Sequence, residues 1–333
     1  MPINKVILWI VLITAIFIFS LTNCGKQKMD KIRLNEVTHS IFYAPQYVAI
    51  NEGFFEEEGI EIELVNGGGA DKTMTALLSN QADIGFMGPE AAIYVYNEGK
   101  EDHAVIIGQL TERDGSFLVG RKPEEDFKWE NLRGKTVIGG RKGGVPEMTL
   151  EYVLKKHGLI PGKDVEVLTN IQFDLMAGAF KGGTGDYVTL FEPVASAFEK
   201  ENSGYIVASV GEASGEVPYT AYAAKKSFIE KNKDLVQRFI NAIYKGQQWV
   251  QNHTPEEIAK SLKPSFPDSD VSLLATVVKR YRDIDAWMTT PVMEKEAFEH
   301  LQDIIEMAGV LNKRASFEDV VNNAFARKAI EEN

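Results

Sequence analysis

The chain of 333 residues contains one cysteine, Cys24, and five histidines. A single thiol excludes an intrachain disulfide, and the sparse Cys and His exclude a clustered metal site of the zinc-finger kind. Basic residues are also short: 36 Lys and Arg stand against 48 Asp and Glu, a formal net charge of -12. A nucleic-acid partner would want a basic face, so that class is set aside. There is no G-x-S-x-G, no H-E-x-x-H and no phosphate-binding P-loop, and the familiar hydrolase and nucleotidase signatures are therefore missing. What is present is an ordinary globular composition, 44% hydrophobic and 25% charged, long enough for two domains.

Long apolar runs are confined to the start. Lys5 precedes "VILWIVLITAIFIFS", and "LTNC" follows, ending at Cys24. This is the layout of an export signal. "LTNC" resembles the bacterial lipobox, with Leu at -3, Thr at -2 and the Cys that becomes lipidated; Asn23 stands where Gly, Ala or Ser is usual. The alternative is an uncleaved N-terminal helix. Either way the rest of the chain is expected outside the cytoplasm, held to the membrane by residues 1–24 and a polar tether, 25–31.

From there strands alternate with helices, which predicts a mostly parallel sheet. "KIRLNEV" and "IEIELV" alternate as strands do. Between them "APQYVAINEGFFEEEGI" predicts one helix, with Pro45 in its first turn and Gly59 closing it. "NGGGADKTMTALLSNQ" is a Gly-rich loop and a helix, and "ADIGFM" is a strand. A second series follows: the strand "KTVIGG", the loop and helix "RKGGVPEMTLEYVLKKHGL", the strand "DVEVLT", the helix "FDLMAGAFKGG" and the strand "GDYVTLF". "ADIGFMGPEAA" (Ala82–Ala92) and "GDYVTLFEPVA" (Gly185–Ala195) are thus one strand-loop-helix turn built twice. The fold class is α/β with two lobes. Lobe one takes 31–117 plus 220–333, with its helical C-terminus, and lobe two takes 118–219. Two crossings, "GSFLVGRK" and "YTAYAAKKSF", form a hinge. Ligands of open α/β sheets sit at the carboxyl ends of strands, so closure of two such lobes traps a ligand between them.

"HSIFYAPQYVAINEGFFEEEGIEIEL", the Gly-rich loop with "ADIGF", and then "LRGKTVIGG", "GGVPEMTLEYVLKKHGL" and "LFEPVA" resemble the nitrate/taurine/sulfonate and thiamine-precursor class of ABC-transporter substrate-binding proteins, over roughly Arg33 to Val250. The resemblance implies a type II periplasmic-binding-protein fold, a signal or lipid anchor, and a permease with its cytoplasmic ATPase as partner. A monomer with no cofactor and no metal is expected. An enzyme of thiamine-pyrimidine synthesis shares the fold but needs a Cys-rich iron motif, which this chain does not have.

The resemblance places His39, Ser40, Phe42 and Tyr43 in a ligand-lining loop, against the alternative of loop packing. Gly68 and Gly69, with Gly143 and Gly144 at the equivalent place in lobe two, precede helices whose N–H groups suit an anionic or acceptor group. Arg141 beside them reads as surface or as a residue inviting an anion. Met87 and Gly88 lie in the first copy of the repeated turn, Phe191 and Glu192 in the second. Glu90 reads as an acid in a helix first turn, favourable to the dipole. Thr111 and Arg113 lie near the crossing, where Arg113 either meets an anion or pairs with Glu112 or Asp114. Glu192 decides the expected ligand: a carboxylate facing the cleft suits an amino-heterocycle and repels a sulfonate.

Overall fold

The computed structural model describes residues 29–333. Cys24, the apolar run before it and most of the tether lie outside the described residues.

Strand β1 (Asp30–Glu36) sends Ile32 and Leu34 into the core. It pairs in parallel with β2 (Ile60–Asn66) on one side and β3 (Ile84–Met87) on the other, so that Leu34 faces both Leu64 and Ile84. β4 (Ala104–Thr111) leads out of this sheet to β5 (Ser116–Gly120), the first strand of a second sheet. There β6 (Thr136–Ile138) pairs in parallel with β7 (Glu166–Leu168) and β8 (Tyr187–Phe191), and β9 (Tyr205–Ser209) lies against β5. β10 (Thr220–Lys225) returns to the first sheet and inserts antiparallel between β3 and β4. The strand orders are β2-β1-β3-β10-β4 and β7-β6-β8-β5-β9. Both are the same pattern: three parallel strands, one antiparallel strand that arrives from the other sheet, and an edge.

The doubled turn has a doubled fastening. Asp83 Oδ2 accepts the backbone N–H of Arg33 at 2.9 Å, and the N–H of Asp83 donates back to the Arg33 carbonyl at 2.9 Å. In the second sheet Asp186 Oδ2 accepts the N–H of Thr136 at 2.9 Å and its own N–H donates to the Thr136 carbonyl at 2.8 Å. In each copy the Asp before β3 or β8 satisfies a donor and an acceptor on the neighbouring parallel strand, one residue before the first paired position, which fixes register where pairing begins.

Helices follow their sequence signals closely. Val145–Lys156 has Pro146 in its first turn, Lys155 and Lys156 in its last, and Gly158 beyond it at φ 70°. Lys233–Asn252 buries Val236, Phe239, Ile240 and Ile243, one stripe at helical spacing. Thr254 and Glu257 close a capping box on Pro255–Leu262. The single helix expected from Pro45 to Gly59 is instead two, Ala44–Asn51 and Phe54–Glu57, because Gly53 adopts a left-handed conformation, φ 80°, between them. The C-terminal helices do not all surround the first sheet. Val271–Asp283 packs on the Ile41–Tyr43 turn and Ala324–Glu332 on Lys233–Asn252, whereas Lys295–Met307 packs against Val145–Lys156 of the second sheet. Lys155 Nζ donates to the Met307 carbonyl at 2.8 Å there. Among the described residues no helix is long and apolar enough to cross a membrane.

Candidate ligand-binding site

A cavity of about 730 Å³ lies between the two sheets. Its wall is made where parallel strands end. Val37 and Thr38 follow β1, Asn66 to Gly69 follow β2, and Gly88 and Glu90 follow β3. From the second sheet come Gly140 and Arg141 after β6, Thr169 to Asp174 after β7, and Phe191 at the end of β8. Tyr219 and Thr220 enter from the returning crossing. The two crossing segments are hydrogen-bonded to each other, with Val217 N–H on the Glu112 carbonyl at 2.8 Å and Tyr219 N–H on that of Thr111 at 3.1 Å. Helices Ala70–Leu78 and Val145–Lys156 both begin at the cavity wall, directly after Gly69 and Gly144.

Of the residues singled out from the sequence, Tyr43, Gly68, Gly69, Gly88, Gly144 and Phe191 line this cavity. Tyr43 is buried, which pushes its hydroxyl pKa up, and it meets Phe86 edge to face. Gly68 and Gly69 have φ of 71° and 145°, so the loop needs them whatever it binds. Gly143 is not in the wall. Its N–H donates to Glu147 Oε2 at 3.0 Å and its carbonyl accepts Tyr94 OH at 3.2 Å.

The others serve the frame. His39 leaves the cavity to join Glu36 Oε1, 2.9 Å from its Nδ1, and the Ser265 carbonyl, 2.9 Å from its Nε2. The hydrogen bond His39 donates to Glu36 raises its pKa. Ser40 Oγ caps the Ile41–Tyr43 turn by accepting the Phe42 N–H at 3.2 Å and donates to the Glu192 carbonyl at 3.1 Å. Phe42 is wholly buried, packed against Tyr43, Phe191, Tyr219 and Tyr281, because the crossing closes over it. Met87 and Thr111 are buried strand residues. Arg113 has Glu216 at 3.7 Å, not Glu112 or Asp114.

Glu192 does not face the cavity. Its Oε1 accepts Arg280 Nη1 at 2.5 Å and Ser196 Oγ at 2.7 Å, and its Oε2 accepts the Ser196 N–H at 2.8 Å. Arg280 comes from a distant helix, and its cationic fork is what turns the carboxylate away from the cleft. The acid in the wall is Glu90, only 2% exposed, with no hydrogen-bond partner on Oε2. Burial pushes its carboxyl up to about 7, against the opposing pull of nearby backbone N–H groups, Val145's among them, and of Arg141. Sequence reasoning set Glu90 aside as a dipole residue. It also missed Tyr219, Asn66 and the run Thr169–Asp174. That run was findable, since it follows β7 as Asn66–Gly69 follows β2. Arg141, open in the sequence between surface and an anion contact, is in the wall with Asp71 across from it at 3.8 Å.

The family described as NMT1/THI5 like matches residues 41–258. The chain belongs to this NMT1/THI5-like family. A relative from Bacillus subtilis (strain 168), named "Putative binding protein YtlA", is 46% identical over 94% of this chain and 94% of its own length. A second from the same organism, a "Putative aliphatic sulfonates-binding protein", is 24% identical over 97% of each chain. Among solved structures, the alkanesulfonate-binding protein SsuA from Xanthomonas axonopodis pv. citri, bound to MOPS, aligns with a TM-score of 0.71 at 17% identity, covering 88% of this chain and 98% of that one. This family member accordingly has the two-lobed α/β architecture of the type II periplasmic-binding-protein fold, with its cavity between the lobes.

Proposed function

We propose that the protein is the extracytoplasmic solute-binding component of an ABC importer, trapping a small organic ligand between its lobes and delivering it to a permease driven by a cytoplasmic ATPase. The single observation carrying this is the cavity itself: strand ends from both sheets meet around one cleft, and only two crossings join the sheets. In this reading lobe one is 31–117 with 220–333 and lobe two is 118–219. The protein works as a lipid-anchored monomer, without catalysis, and Cys24 carries the lipid.

The ligand reading is an amino-heterocycle of the thiamine-precursor kind. Tyr43, Phe173, Phe191 and Tyr219 offer aromatic surface around the cavity for a flat ring. A second reading, an aliphatic sulfonate or nitrate, draws on the sulfonates-binding relative and on the two helix starts at Gly69 and Gly144. A thermal-shift screen across aminopyrimidines, sulfonates and nitrate separates them, because a ligand at a hundred times its Kd adds about 2.7 kcal/mol to a native state that alone binds it. Turnover of a ligand would contradict a transport role. Mass spectrometry of the membrane fraction tests the anchor: an intact N-terminus with Cys24 unmodified overturns it.

A further inference from the structure

We propose that Glu90 is the ligand-recognising carboxylate of the cavity, and that it selects ligands presenting N–H donors and rejects anions. The inference rests on the solute-binding reading above. It is motivated by a side chain that is 98% buried by the complement of its 2% exposure, forms part of the cavity wall, and leaves Oε2 without a hydrogen-bond partner. A buried carboxylate oxygen without a donor is costly. A residue serving only the helix dipole would meet that need from the surface.

The backbone N–H groups of Glu90, Ala91 and Val145 pull on the carboxyl, yet none makes a hydrogen bond to Oε2, and no side chain supplies one. Tyr94, one turn along the same helix, gives its hydroxyl to the Gly143 carbonyl. From the second lobe Arg141 is shared with Asp71 at 3.8 Å, and the Gly143 N–H is taken by Glu147. Glu147, Tyr43 and Tyr219 are the other titratable groups near this corner, and none of them brings a positive charge. Lys72, the other cation of the wall, is exposed in the first turn of its helix. A sulfonate placed beside Glu90 would meet a carboxyl that must hold its proton. An amine or amidine N–H on this carboxyl would stabilise its ionised form.

Ligand charge is thereby tied to proton movement. Burial holds Glu90 up to about 7. Binding an N–H donor or cation releases that proton, so affinity rises as pH rises, whereas an anion requires the proton and loses affinity in the same direction.

The test is calorimetric titration of wild type and Glu90→Gln with four probes: 4-amino-2-methylpyrimidine, benzamidine, ethanesulfonate and nitrate. The expected result is binding of at least one N–H-bearing ring to wild type, weakened about 10- to 100-fold in the variant, the ratio equivalent to a hydrogen bond to a charged group. Wild-type affinity should climb between about pH 6 and pH 8, and the variant should be flat over that window. Equal binding of a ring probe to both proteins overturns the role of Glu90 and leaves the solute-binding reading standing. Tighter binding of ethanesulfonate or nitrate than of either ring by wild type also overturns it. Failure of all four to bind wild type overturns the parent ligand reading and this one with it. Circular dichroism and the unfolding midpoint of Glu90→Gln show that the variant is folded; Glu90→Asp, which keeps the charge, should retain more ring affinity than Gln.

Discussion

Arg280 clasps Glu192 across the boundary between the lobes. Its Nη1 donates to Glu192 Oε1 at 2.5 Å, and its Nη2 reaches Glu199 Oε2 at 3.2 Å. The neighbouring Tyr281 hydroxyl accepts the Glu192 N–H at 3.0 Å and donates to the Gly115 carbonyl at 3.1 Å. Helix Val271–Asp283 therefore ties the end of β8 to the β4–β5 crossing. Removing the cation strands a buried carboxylate, so Arg280→Ala should cost about 3 kcal/mol in urea unfolding. Glu192→Gln should lower stability without altering which ligand class binds, since every oxygen of that carboxylate is already spoken for within the protein.

The empty protein should be more stable near pH 5 than near pH 8. Glu90, Glu112 and Asp114 are each pushed up to about 7, burial being the largest cause for all three, and Glu147 rises to the same level as burial and Glu151 act together. For such acids the unfolded chain loses its protons first, so between the ordinary carboxylate range and about 7 the native state holds more protons and stability falls as pH rises. His39, raised by Glu36, acts in the same direction: its stabilisation is complete below the unfolded histidine pKa and lost as pH climbs through the folded one. Each pKa unit is worth about 1.4 kcal/mol. Urea midpoints across this range check the slope, and Glu90→Gln should flatten part of it.

Gly115→Ala tests the crossing. A Cβ there would lie 2.5 Å from the Phe42 ring, and that ring is hemmed in by Tyr43, Phe191, Tyr219 and Tyr281. Overpacking of this kind costs about 1–3 kcal/mol. Thermal denaturation should report it, with a smaller loss for Gly99→Ser, which meets open space although its positive φ carries some strain.

Tyr94→Phe removes the hydroxyl that joins a first-lobe helix to the Gly143 carbonyl at 3.2 Å and lies 3.6 Å from Met148 Sδ. The contact joins residues of the two lobes. Its loss should speed ligand release by a few-fold, the scale of about 0.5–1.5 kcal/mol for one neutral hydrogen bond, with little change in unfolding. Stopped-flow fluorescence with any bound probe measures the rate.

The alternation of strands and helices, the doubled Asp-led turn and the capping signals at Pro146, Gly158 and Thr254 were all legible in the sequence, because each depends on residues a few positions apart. The choice between Glu90 and Glu192 was not. Both sit beside a Pro in equivalent turns, and what separates them is a guanidinium 88 residues away along the chain. His39 likewise looked like a loop ligand because Ser265, which holds its Nε2, is 226 residues distant. The split of the Pro45–Gly59 helix turned on Gly53, which a periodicity of apolar residues carries straight through.

The insertion of β10 between β3 and β4 has a consequence for a chain that emerges from the ribosome amino end first. All five strands of the second sheet lie within Ser116–Ser209 and can assemble as soon as that stretch is out. The first sheet cannot: β2, β1 and β3 form one piece, β4 stands apart, and the slot between them stays open until Thr220–Lys225 has been made. The amino-terminal half therefore waits, exposed and unfinished, for residues encoded far downstream. That long-range closure is slow by its topology, and it leaves the strands of residues 30–111 pliable until the last one arrives.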